Sequence, residues 1–148
     1  MHKMTEADLW AAFAGESQAH VKYLAFAAKA KDEGFPKLAR LFEAISFAEL
    51  VHAHNHLRAL AGLGNSIDNL KAAVEGENYE VDEMYPAFNS VAGMQNESAA
   101  ARTIHYAQGG GENSCRVLYP GPPEFGDRHR CAMAEGLCVP DLWVHFGG

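Results

Sequence analysis

Residues 38–52 read Leu-Ala-Arg-Leu-Phe-Glu-Ala-Ile-Ser-Phe-Ala-Glu-Leu-Val-His. Leu38, Leu41, Phe42 and Ile45 recur at three- and four-residue intervals, the spacing of one face of an α-helix. Glu49 and His52 then carry on along that same face. A lone carboxylate in a helical core is costly and needs a compensating charge. This stretch therefore fixes a helix and leaves open what an acid and an imidazole do on its apolar stripe.

Working outward, the helix starts at Pro36, which suits a first turn, and carries Leu57 and Leu60 before stopping in Ala-Gly-Leu-Gly at 61–64. Upstream, residues 5–32 read as a first helix. Thr5 with Asp8 makes an acidic variant of a capping box. Leu9, Ala12, Phe13, Ala19, Tyr23, Phe26, Ala27 and Ala30 form the stripe, and Gly34 ends the helix. A third helix begins near Asp68 and carries Leu70, Ala73, Val74, Met84, Phe88 and Val91, with a kink expected at Pro86. A fourth starts near Asn96 and reaches Ala107. Short loops between long helices predict an all-α bundle of antiparallel neighbours.

After Ala107 the texture changes. Residues 109–111 are Gly-Gly-Gly, 120–123 are Pro-Gly-Pro-Pro, and no period of 2 or 3.6 survives from Gln108 to Gly148. Two segments are expected: a helical bundle over 1–107, and an irregular tail over 108–148. Glycine costs about 1 kcal/mol per helical position relative to alanine, so Gly109–Gly111 are expected to end the fourth helix. That would leave it too short to cover its partners and leave Phe26 and Phe88 partly exposed.

Composition narrows the class. At 148 residues and 48% hydrophobic the chain can bury one core. A formal net charge of -7 argues against nucleic acid. Cys115, Cys131 and Cys138 lack paired spacing, which suggests a reducing compartment and offers no zinc knuckle. No apolar run is long enough to span a bilayer, and a cytoplasmic protein is expected.

Acid interrupts the other stripes too. Glu16 lies between Phe13 and Tyr23 on the first helix, and Glu77 and Glu80 continue Leu70, Ala73 and Val74 on the third. No Lys or Arg falls on these stripes, so bound cations would answer the charge. Residues at i and i+3 share a helix face, so Glu49-x-x-His52 and Glu77-x-x-Glu80 can each present two ligands to one point. A Glu from one helix, Glu-x-x-His from another and carboxylates from a third form most of a di-iron or di-manganese site. Oxygen donors with one imidazole per metal suit iron or manganese better than closed zinc. Each motif alone more often marks a solvated face; the weight lies in three helices breaking their stripes in one register. His54 and His56 read mainly as a solvated cluster.

Ala12-Phe-Ala-Gly-Glu16-Ser-Gln-Ala19, Glu49-Leu-Val-His52, Asn69-Leu-Lys-Ala-Ala-Val-Glu-Gly-Glu77-Asn-Tyr-Glu80 and Glu83-Met-Tyr-Pro86 resemble rubrerythrins in order, over residues 9–107. The resemblance implies a ferritin-like four-helix bundle with Glu16, Glu49, His52, Glu77 and Glu80 as ligands of two non-haem irons, manganese or a mixed pair being the alternatives. It implies that Tyr23 and Tyr85 are the tyrosines beside those carboxylates, donating hydrogen bonds that orient them. It also implies peroxide reduction in oxidative-stress defence, electrons from a rubredoxin-like or other donor, and a homodimer or higher homo-oligomer. The other function weighed is a ferritin-like iron-storage protein that holds iron without turnover.

The chain departs from that pattern where a second Glu-x-x-His belongs on the fourth helix, since Gly111 and Ser114 stand there. Reading bases two and three of each codon with base one of the next, Gly111–Cys115 permit Glu-Lys-Ile-His-Ala. The same shift lets Leu137–Val144 read Tyr-Val-Cys-Pro-Thr-Cys-Gly-Tyr, the first Cys-x-x-Cys knuckle of a rubredoxin domain. The tail therefore reads as an out-of-frame translation, the alternative being a divergent tail. Activity of the chain is expected to be impaired.

Overall fold

In a computed structural model the described residues are 1–118, and side chains are described through Gly111 and at Ser114. They form α1 (Lys3–Asp32), α2 (Pro36–Ala59), α3 (Ser66–Tyr79), a π-helical segment (Glu80–Met84), α4 (Tyr85–Met94) and α5 (Ser98–Leu118). The fold is all-α, as expected of the ferritin-like class. It divides after Gly64 into two compact units.

The first unit is the α1–α2 hairpin. Its antiparallel register reads directly from cross-helix pairs: Lys31 with Glu43, Phe26 and Tyr23 with Phe42, His20 with Ser46. The seam is built of small residues, with Ala27 and Ala30 on α1 and Ala39, Ser46 and Ala53 on α2 all buried. Small side chains let two helices approach closely, so larger apolar groups are left to other faces. Gly34, at φ 80, supplies the left-handed residue after α1, and its N–H and that of Phe35 close back on Lys31 and Ala30. Pro36 then opens α2, as expected. The Thr5–Asp8 capping box does not form: α1 starts earlier, at Lys3, and His2 gives no side-chain cap.

α2 ends with the same backbone pattern, Ala61 and Gly62 donating to Arg58 and Leu57. Here the left-handed residue is Ala61, at φ 53, not a glycine.

In the second unit, Asn65 caps α3 by accepting from the N–H groups of Ile67 and Asp68. The expected kink at Pro86 takes the form of a π segment one turn earlier. Proline has no N–H and its ring crowds the carbonyl four residues back, so the ladder widens over Glu80–Met84 before α4 resumes with Pro86 in its first turn.

The fourth long helix corrects the expected stop. α5 runs through Gly109–Gly111 to Leu118, a length close to that of α2, and so takes in the start of the segment expected to be irregular. Tertiary contact outweighs glycine's poor propensity: the Gln108 amide reaches the Val81 carbonyl, and Gly111 is buried against Val81 and Glu77. Tail expectations for residues 119–148, including Cys131 and Cys138, lie outside the described residues. Phe26 and Phe88 are 47% and 51% exposed.

Candidate metal centre

Glu16 lies two helical turns before Tyr23 on α1, and Glu49 and His52 lie one turn apart on α2. The hairpin register brings these three together. One ligand atom from each lies within 4.8 Å of the others, the one such group of three among the described residues. His52 Nδ1 is 3.1 Å from Glu49 Oε2 and 3.9 Å from Glu16 Oε1, so a single ring nitrogen faces both carboxylates. The Glu49 side chain is 17% exposed and Glu16 32%, while His52 is 54% exposed. The carboxylates are thus partly withdrawn from water with the imidazole at the rim.

Two carboxylates this close cannot both stay ionised without a counter-charge. Glu16 is held above the usual carboxylate range, first by its hydrogen bond to Glu49, then by burial and the Glu49 charge, against the pull of His52 and His56. Glu49 is held below that range because it accepts the Glu16 proton and a hydrogen bond from His52. As pH falls, Glu16 is thus the first of the two to take a proton and Glu49 the one that keeps its charge longer. His56 is half-buried and near enough to act on Glu16, whereas His54 is exposed, as expected of a residue off the core face.

Sequence reading missed the pair that fixes this register. Ser46 is 1% exposed, the one buried polar residue in the seam. Its hydroxyl donates to the His20 carbonyl at 3.0 Å. His20 Nδ1 lies 2.9 Å from the Ser46 carbonyl, which can only accept, so Nδ1 carries the proton, and it is 2.8 Å from Ser46 Oγ. His20 is one turn after Glu16 and Ser46 one turn before Glu49, so this link pins both carboxylates. The available signal was a serine amid alanines on a core stripe, facing a histidine across the turn.

In the second unit, Glu77, Glu80 and Tyr85 stand together. The Tyr85 phenol is pushed up by burial, then by the charges of Glu80 and Glu77, and hydrogen-bonds to Glu80. Tyr23 instead stacks on Phe42, centroids 6.2 Å apart, and meets Phe26 edge-on. On α5 the residue that faces Glu77 is Gly111: a Cβ built there would lie 3.2 Å from Glu77 Oε2.

The chemistry of the α1–α2 donor set fits a hard divalent metal, with two oxygens, one imidazole nitrogen and open positions. The α5 side does not fit a second ion, because neither Gly111 nor Ser114 can supply a carboxylate or an imidazole.

Comparison with known proteins agrees with this helical reading. The Rubrerythrin family model matches residues 9–108. Rubrerythrin-2 of Clostridium acetobutylicum is 39% identical over 118 residues, covering 70% of this chain and 64% of that protein. Rubrerythrin of Porphyromonas gingivalis is 37% identical over 116 residues, covering 68% and 58%. Nigerythrin of Nitratidesulfovibrio vulgaris is 36% identical over 115 residues, covering 68% and 57%. The matched region thus spans 57 to 64% of these relatives' own lengths. Among the described residues no helix is long and apolar enough to cross a membrane.

Proposed function

The chain belongs to the rubrerythrin family, and on that premise we propose that it is a non-haem iron oxidoreductase acting on hydrogen peroxide, with its activity impaired. The observation that carries this reading is the Glu16–Glu49–His52 triad, whose ligand atoms lie within 4.8 Å of one another, His52 Nδ1 3.1 Å from Glu49 Oε2. A divalent ion at this point would answer the charge of both carboxylates at once. Glu77 and Glu80 are the further carboxylate ligands of this reading. Tyr85, bonded to Glu80, orients its carboxylate, and Tyr23 is assigned the same task toward the first unit's acids.

Reduction of peroxide to two waters takes two electrons and two protons; two bound ferrous ions would supply both electrons at once, whereas one would supply them only one at a time from the donor, and the protons would come from water. Because α5 lacks a carboxylate and imidazole at 111 and 114, turnover is expected to be slow. Electrons come from a rubredoxin-like or other donor, the working form is a homodimer or higher oligomer, and the compartment is the reducing cytoplasm. We further propose that the sequence from about Gln108 is translated out of frame, since the shifted reading returns Glu and His at these two places. Sequencing the encoding DNA across codons 105–115 tests that point alone.

The functional test is peroxide consumption by the iron-loaded chain with a reduced donor, set against iron retention. Slow consumption that disappears in Glu49→Ala and His52→Ala, but persists in His54→Ala, supports the reading. Retention of ferric iron with no consumption would make the chain a storage protein instead.

A further inference from the structure

Di-metal carboxylate bundles draw a Glu from each of two helices and a Glu-x-x-His from each of the other two. α1 offers Glu16, α2 offers Glu49-x-x-His52 and α3 offers Glu77. The remaining helix is α5, and its residue against Glu77 is Gly111, buried, with half-buried Ser114 one turn on. This pair has the i, i+3 register of Glu49 and His52, so contact with Glu77 identifies Gly111 and the helical register then identifies Ser114. Position 111 is also closed to a larger residue. A Cβ there would stand 2.8 Å from Val81 Cγ2, closer than side-chain carbons come. Val81 is 4% exposed and β-branched, so it cannot swing aside freely.

We propose that this chain binds one divalent metal ion, at Glu16, Glu49 and His52, and that Gly111 and Ser114 are the two positions that deny it a second. The inference rests on the reading of that triad as a metal site. Glu77 and Glu80 keep their carboxylates, yet the α5 imidazole and carboxylate that would join them are absent. Val81 stands where a Cβ at residue 111 would go, so the packing at that position, as well as the ligand count, opposes a second ion.

Anaerobic titration of the full chain with Fe(II), with metal counted after gel filtration, tests the proposal. The expected count is one ion per chain, falling to near none in Glu49→Ala and unchanged in His54→Ala. The combined variant Gly111→Glu, Ser114→His, Val81→Ala is expected to take up two. Two tightly held ions in the parent chain would overturn the one-metal inference and leave the metal-protein reading standing. No ion in the parent chain would overturn that reading and the inference with it. A folded combined variant that still binds one ion would overturn the assignment of positions 111 and 114. The parent count decides the main point even if that variant does not fold.

Discussion

Two carboxylates and one imidazole within 4.8 Å are a site only if something fixes their distance, and Ser46 does so from within the seam. Ser46→Ala would leave the His20 carbonyl without its buried donor and the His20 ring with the residue 46 carbonyl alone, costing about 1–3 kcal/mol of stability by thermal melting. It should also weaken Mn(II) binding, because the Glu16–Glu49 spacing loosens; an unchanged affinity would show that the link is structural only. The raised titration of Glu16 gives a second test: its stabilising contribution to the hairpin is present at low pH and lost as pH rises through the raised value. The Glu49 contribution is opposite in sign, lost as pH falls through its lowered value. Protons compete with a metal for these carboxylates, so Mn(II) affinity should drop as pH falls through the raised Glu16 titration, by up to about tenfold per pH unit for each proton taken up. A flat profile in a binding titration would mean that the carboxylates are not ligands. At this scale the sequence was informative wherever a charge broke a stripe: Glu16, Glu49 and His52 announce themselves. Ser46 and His20 did not, because a buried serine is unremarkable until its cross-helix partner is known.

At the level of the helix, propensity was a sound guide except where tertiary contact opposed it. Gly34 and Pro36 were legible as stop and start because each fits one backbone conformation. The end of α5 was misread because three glycines look alike in sequence, whereas they differ in what surrounds them. A Cβ on Gly109 or Gly110 would meet nothing within 4 Å, and a Cβ on Gly111 would strike Val81. Gly109→Ala and Gly110→Ala should therefore each stabilise the chain by up to about 1 kcal/mol. Gly111→Ala should destabilise it by about 1–3 kcal/mol through overpacking. Thermal unfolding of the three single variants checks this, and a uniform gain would mean that α5 does not contact Val81 as described. The π segment was equally hidden: Pro86 signals a break, but whether the helix kinks or widens depends on the residues around it.

For the molecule as a whole, the all-α class and its family were legible from the order of a few short motifs, since the family match ends at Gln108, one residue past the expected limit. Large apolar residues remain exposed on the hairpin at helical spacing, with Val21 at 64% and Leu24 at 47% on α1 and Phe47 at 66% and Val51 at 41% on α2. Surface of that kind favours association, so sedimentation velocity should show species heavier than the 16.1 kDa chain, and a lone monomer at micromolar concentration would contradict this. The central claim, however, concerns where metal goes, and anomalous diffraction from a crystal of the full chain loaded with Fe(II), recorded at the iron edge, tests it most directly. The account predicts one peak per chain, in contact with Glu16, Glu49 and His52, and none beside Glu77 and Gly111. A peak beside Glu77 and Gly111, or iron only at other histidines such as His54, would contradict it.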